Sequence, residues 1–403
     1  MTAERMTLCD ASEGQQETTL LNKGFIGLNI IFFVASAAAS SFFYLQQHLE
    51  FLGITPARTG LIIGADAVAG LVLQPLLAPF LHERNARPWM VGGIVVMASA
   101  LLCYGRAHTL AALLAVRVIQ GAGFVCLIAA IMASLAGCIP SGASGRAFGL
   151  ISLVRLVPCA AIPPLVTFLM ARYVPFPAVL EGFALFMVLS VPLVLVTRPP
   201  SLASGHAAPG RAGFKGLAED LRGRSVCLLL AANLLFFITY TIVFFYIVGF
   251  GRQAGITQAS LFFSISTAVM ILVRLFGSPF FDKANKPIVS AVCLAGLAAA
   301  FVALARARGP IFYGLAVVFG LGWGVVMPLL NAIVFDISDT RFRGLNLNLV
   351  LVAMQGSFFL GPLAGGVVVG AWGFPALFYL CCPLTLLTAL LVLKIRVQGG
   401  AHT

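Results

Sequence analysis

The segment Arg117-Val-Ile-Gln120-Gly121-Ala-Gly123 places a permanent cation and two bare backbone positions inside the apolar run Leu110 to Ala136. A guanidinium keeps its charge and is costly at bilayer depth, so Arg117 is expected to face protein or a water-filled cavity. Gly121 and Gly123 remove side chains and let a neighbouring helix come close. Asp66 is the one carboxylate well inside an apolar run, about seven residues or roughly 10 Å from the end of its segment, and Arg117 lies at similar depth. We expect the two to face each other and protonation of Asp66 to release the pair, which would couple the chain to protons. The plainer alternative is a permanent ion pair that locks two helices.

Arg155 also lies well within an apolar run, where its planar fork suits a carboxylate or phosphate on a ligand; a side chain snorkelling toward the headgroups is the alternative. Arg274 is a weaker candidate for the same role. Gln120, Asn233, Tyr240 and Gln355 add uncharged hydrogen-bonding groups for a ligand, or for bonds between helices. The phenylalanines Phe236, Phe237, Phe244 and Phe245 read as packing or lipid-facing residues. With three arginines against one acid, the intramembrane balance slightly favours an anionic or zwitterionic solute. There is no His-rich or carboxylate-rich metal set, no nucleophile with its base and no phosphate-binding loop, so neither enzyme activity nor a cofactor is expected. The nine cysteines show no paired metal-ligand spacing.

The elements that must position these groups are membrane spans. Hydrophobic residues make up 60% of the 403 and charged residues 9%, and the mean hydropathy is +1.03. The expected fold is an all-α membrane protein with twelve transmembrane helices. They are Phe25 to Gln46, Thr59 to Leu81, Trp89 to Gly105, Leu110 to Ala136, Ala147 to Ala171, Ala178 to Thr197, Ser225 to Phe250, Gln258 to Phe281, Ile288 to Ala305, Ile311 to Phe335, Leu347 to Trp372 and Pro375 to Leu393, called spans 1 to 12 below. They divide the chain into a tail (1–24), a six-helix bundle (25–197), a central loop (198–224), a second bundle (225–393) and a final tail (394–403). Within the central loop, Phe214, Leu217 and Leu221 among basic residues suggest either a short surface helix or a flexible linker. Of the 25 Lys and Arg, 16 fall on the side of both tails, 6 on the other side and 3 in the spans, so the positive-inside rule puts both termini in the cytoplasm, as for a bacterial inner-membrane protein. A basic patch for nucleic acid is absent. The expected partners are a small-molecule substrate, protons and the lipid bilayer, with the chain a monomer.

The halves repeat one another. Glu83-Arg84-Asn-Ala-Arg87-Pro after span 2 is answered by Asp282-Lys283-Ala-Asn-Lys286-Pro after span 8, and Gly121 and Gly123 by Gly320, Gly322 and Gly324. Such a repeat implies two pseudo-symmetric six-helix bundles around a central site reached alternately from each side. The two charged loops and the span 4 pattern Arg117, Gln120, Gly121, Gly123 resemble the major facilitator superfamily, a likeness that runs from span 1 to span 12. In its proton-coupled members the span 4 arginine belongs to the proton relay. The loops keep the family's charges but not its glycines, with Pro79 and Ser278 four residues before the acids and Ala86 and Asn285 three after. Gly361-Pro362-Leu-Ala-Gly-Gly is similar to the family's exporter motif, although it stands in span 11 and not in span 5.

The resemblance implies a secondary transporter working by alternating access. Glu83, Arg84, Arg87, Asp282, Lys283, Lys286, Asp336, Arg341 and Arg343 are expected to form a conformational gate on the tail side, and Gly121, Gly123, Gly361 and Pro362 to pack helices. The alternatives are a proton-driven exporter of neutral or cationic drugs or metabolites, and, in a different class, a non-transporting membrane sensor.

Overall fold

The computed structural model describes residues 22–77, 80–81, 85–136, 138, 144–197, 223–283, 285–338 and 343–395. All regular structure among them is helical. A chain this apolar must satisfy its backbone N–H and C=O groups within each segment once it is in lipid, and the helix does so.

Ten helices are long and apolar enough to cross a membrane, and the shorter apolar helix Leu261–Gly277 accompanies them. One of the ten, Leu349–Leu393, holds spans 11 and 12. They separate at Gly373, whose φ of 80° and ψ of 175° interrupt the helical backbone. The twelve-span fold expected from the sequence is therefore present, in two six-helix halves.

Several boundaries differ from the hydropathy reading. Span 1 runs from Lys23 to Phe51 and tightens into a 3-10 turn at Ser41–Tyr44. Its start is fixed by Asn22, whose side chain accepts a hydrogen bond from Phe25 N at 2.8 Å. Span 2 begins at Pro56, where proline suits a first helical turn, and span 5 is one helix from Ser144 to Ala171 with Pro158, Pro163 and Pro164 inside it. Span 6 is broken into Phe176–Leu189 and Val191–Val196. The proposed surface helix near Phe214 lies outside the described residues.

The turns reveal a repeat that hydropathy does not. Gly53-Ile-Thr and Gly255-Ile-Thr close spans 1 and 7 with the same hydrogen bonds: Ile54 N to Leu49 O and Gly53 N to Glu50 O in one half, Ile256 N to Gly251 O and Gly255 N to Arg252 O in the other. This is the Schellman arrangement, which needs a left-handed residue after the helix, and the two glycines have φ of 74° and 75°. Span 5 ends the same way at Tyr173, with φ 64° and no glycine to relieve it.

The two bundles meet mainly at the end away from the chain termini, called the far end below. Phe43 of span 1 lies 6.0 Å from Phe263 of span 8, measured between ring centroids. Span 2 and span 11 run antiparallel in close contact, Gly64 against Phe359 and Gly60 against Gly366.

Candidate functional site

Two polar clusters occupy the middle of the molecule. The first lies within the N-terminal bundle. Arg117 is 1% exposed, and its Nη2 stands 3.2 Å from Asp66 Oδ2. The same guanidinium donates to the Ile63 carbonyl from Nε at 3.2 Å and from Nη2 at 3.1 Å, and to Gln120 Oε1 at 2.5 Å. Its central carbon lies over the Phe42 ring, 4.4 Å from the centroid. Tyr104 donates to the same Gln120 oxygen at 3.3 Å. The cation is thus held by spans 1, 2 and 4, and it keeps most of its partners whether or not Asp66 is charged.

Asp66 is held more loosely. Its side chain is 26% exposed, and Oδ1 is buried with no hydrogen-bond partner among the described residues. The backbone beneath it fits a glycine on span 4: a Cβ at Gly121 would stand 2.7 Å from Asp66 Cα. Gly123, two residues on, receives span 3 instead, where a Cβ would stand 2.6 Å from Met97 N. The pair of glycines therefore seats two different helices. In the second half, Gly320 lies against Ser266 of span 8 and Gly322 against Leu297 of span 9, so Ser266 occupies the place of Asp66.

The second cluster spans both bundles. Arg155 of span 5 and Arg274 of span 8 lie close enough to interact electrostatically with each other and with Tyr240 of span 7. Arg274 donates from Nη1 to the Ser152 hydroxyl across the bundle boundary and from Nη2 to Met327 Sδ at 3.7 Å. Tyr240 packs against Trp323 of span 10 at 4.8 Å between centroids. Near Arg155, Cys159 lies 3.4 Å from the Ser40 hydroxyl of span 1. Both ion pairs among the described residues lie elsewhere, at Arg117–Asp66 and Lys286–Asp336.

The remaining candidates distribute as follows. Gln120 is occupied by Arg117 and Tyr104. Asn233 is 1% exposed and donates to the Leu229 carbonyl of its own helix at 3.0 Å. Gln355 lies against Gly70 at the contact of spans 2 and 11. Of the expected gate, Lys286 pairs with Asp336 at 2.6 Å and Arg87 donates to the Thr197 carbonyl at 2.7 Å, each contact within its own bundle. Glu83, Arg84 and Arg341 lie outside the described residues, as do the side chains of Asp282, Lys283 and Arg343. Gly361 and Gly365 receive Thr241 and Tyr246 of span 7, and the Tyr246 hydroxyl donates to Pro362 O at 2.6 Å. Tyr104, Phe42, Ser152, Trp323 and Met327 carry no signal as a sequence pattern, because an aromatic, a serine or a methionine in an apolar span is ordinary.

Two six-helix halves with polar groups gathered between helices at mid-depth point to a polytopic membrane transporter rather than a catalyst. The family model for the Major Facilitator Superfamily matches residues 25–347 and 292–401, and the chain belongs to that superfamily. Solved structures of similar fold include a point mutant of the nucleoside transporter NupG, with a TM-score of 0.77 and 14% identity over 93% of this chain and 100% of that one. The human organic anion transporter MFSD10 (TETRAN) is another, with a TM-score of 0.67 and 17% identity over 92% of this chain and 99% of that one. No curated protein matches the sequence. At such identities the likeness concerns the fold.

Proposed function

We propose that this major facilitator chain is a proton-coupled secondary transporter that carries a small organic anion by alternating access. The observation that carries the coupling is the Arg117–Asp66 pair with its loose carboxylate. Arg117 has other partners in the Ile63 carbonyl, Gln120 and Phe42, so a proton arriving on Asp66 releases the acid while the arginine stays in place. Burial and a neighbouring guanidinium act in opposite directions on a carboxyl, and together they tune its proton affinity.

Span 2 links that event to the far end of the molecule. Asp66 lies two residues from Gly64, and Gly60 is about one turn further along, where span 2 meets span 11. A change in how Asp66 sits against Gly121 therefore bears on the helix that carries the contact between bundles. The anionic substrate rests on Arg155, whose fork matches carboxylate or phosphate. The exporter alternative leans on Gly361-Pro362, and the contacts of this motif with Thr241 and Tyr246 support a packing role for it.

The test is uptake into proteoliposomes carrying an imposed pH gradient, with a panel of labelled anions and cations. Asp66→Asn should abolish gradient-driven accumulation while leaving exchange of solute across the membrane. Accumulation that survives in Asp66→Asn removes Asp66 as the coupling group.

A further inference from the structure

Arg274 donates to Ser152 of span 5, one turn before Arg155, so two cations from opposite bundles come near each other, and neither forms an ion pair among the described residues. Asp66, the carboxylate inside the spans, is taken by Arg117. The partners of Arg274 are a neutral hydroxyl and a thioether, both weak substitutes for a counter-charge, and its Nε is buried with no hydrogen-bond partner among the described residues. A second donor in the same cluster is equally idle: Trp323 is 2% exposed, and its Nε1 is buried without a partner among the described residues. Trp323 touches Tyr240, which Arg155 and Arg274 both influence. Trp323 also stands one turn from Met327, against which Arg274 rests.

Unpaired buried donors at Arg274 and Trp323 are costly, and a lock between helices would bring an acceptor for at least one of them, while the exposed side chain of Arg155 is open to a ligand. Two positive charges and two idle buried donors, with no acid beside them among the described residues, fit a ligand with acceptors and two negative charges. We propose that Arg155 and Arg274 together bind a compact organic dianion, a dicarboxylate or a phosphate monoester, with Trp323 Nε1 and the Tyr240 hydroxyl completing its hydrogen bonds. This rests on the anion reading above and narrows it. Because one arginine belongs to each bundle, the bound dianion replaces their repulsion with a shared attraction and draws spans 5 and 8 together.

The test is equilibrium binding to the purified full-length protein in detergent, which needs no gradient and so stands apart from proton coupling. The probes are phthalate and phenyl phosphate as dianions, benzoate as the monoanion and choline as the cation. One dianion or both should bind at least tenfold more tightly than benzoate, and choline should not compete. The comparison of phthalate with phenyl phosphate identifies which acidic group the site takes. Arg155→Gln and Arg274→Gln should each lower dianion affinity tenfold or more and bring it level with that of benzoate. Arg155 makes no described side-chain hydrogen bond, so Arg155→Gln should elute and melt as the native protein does. Benzoate or choline binding as tightly as the better-bound dianion, no dianion binding, or a change under twofold in Arg155→Gln would each overturn the proposal. Gradient-driven accumulation that survives in Asp66→Asn, with dianion binding intact, would instead refute the coupling at Asp66 and leave this site standing.

Discussion

Arg117 shows how one side chain can be both structural and functional. Replacing it by alanine strands Asp66 in the spans, removes the side-chain donor from the Ile63 carbonyl and leaves Gln120 with Tyr104 alone, which should destabilise the protein by about 3 kcal/mol. Arg117→Lys keeps the charge but cannot serve Ile63, Gln120 and Asp66 at once, so an intermediate loss is expected. The paired replacement Arg117→Leu with Asp66→Leu removes both charges and should regain most of the lost thermal stability while gradient-driven accumulation stays absent. That dissociation, read by melting and by flux on the same preparations, separates a coupling pair from a lock; restored accumulation in the double variant would contradict the coupling role. The meeting of Asp66 with Arg117 was legible because charges so scarce in apolar runs must find each other. The Ile63 carbonyl and the Phe42 face were not, since any helix offers carbonyls and aromatics.

Helix contacts in this protein are set by where side chains are missing. The sequence marks Gly121 and Gly123 as close-approach positions, and the structure gives each a different neighbour, span 2 and span 3. Which helix arrives depends on the arrangement of the whole bundle and not on the glycine itself. Gly64 carries the same logic to the boundary between bundles, where an added Cβ would stand 2.8 Å from Phe359 O. Gly64→Val should force spans 2 and 11 apart and raise labelling of a cysteine placed at Phe43 in a cysteine-free background, whereas Gly121→Val should lower the melting temperature through damage within one bundle. Equal labelling of that cysteine with and without Gly64→Val would show that this contact does not hold the far end shut. Tyr173 offers a gain in place of a loss. It holds a left-handed conformation with φ 64° and is 96% exposed, so Tyr173→Gly should add up to about 1 kcal/mol of stability, measured by thermal melting, with flux unchanged.

The repeat that organises the molecule was visible in the charged loops and the glycines, yet the two halves divide their chemistry unevenly. Ser266 stands where Asp66 would be, so the proposed proton site belongs to the first half. The proposed anion site needs both halves, because Arg155 and Arg274 come from spans with no charge repeat to announce them. That juxtaposition is set by the packing of spans 5 and 8, which periodicity does not encode. Alternating access requires contacts at one end to part as those at the other form. Phe43 and Phe263 lie across the bundle boundary at the far end. With the native cysteines replaced by alanine, Phe43→Cys and Phe263→Cys joined by a short bismaleimide should abolish net flux. Phthalate binding in detergent should stay within a few-fold of the unlinked protein, and each single replacement should still transport. A cross-linked protein that moves solute at the unlinked rate would mean that the far end is not a gate, and the rocking of two rigid bundles would have to be replaced by local motion of individual spans.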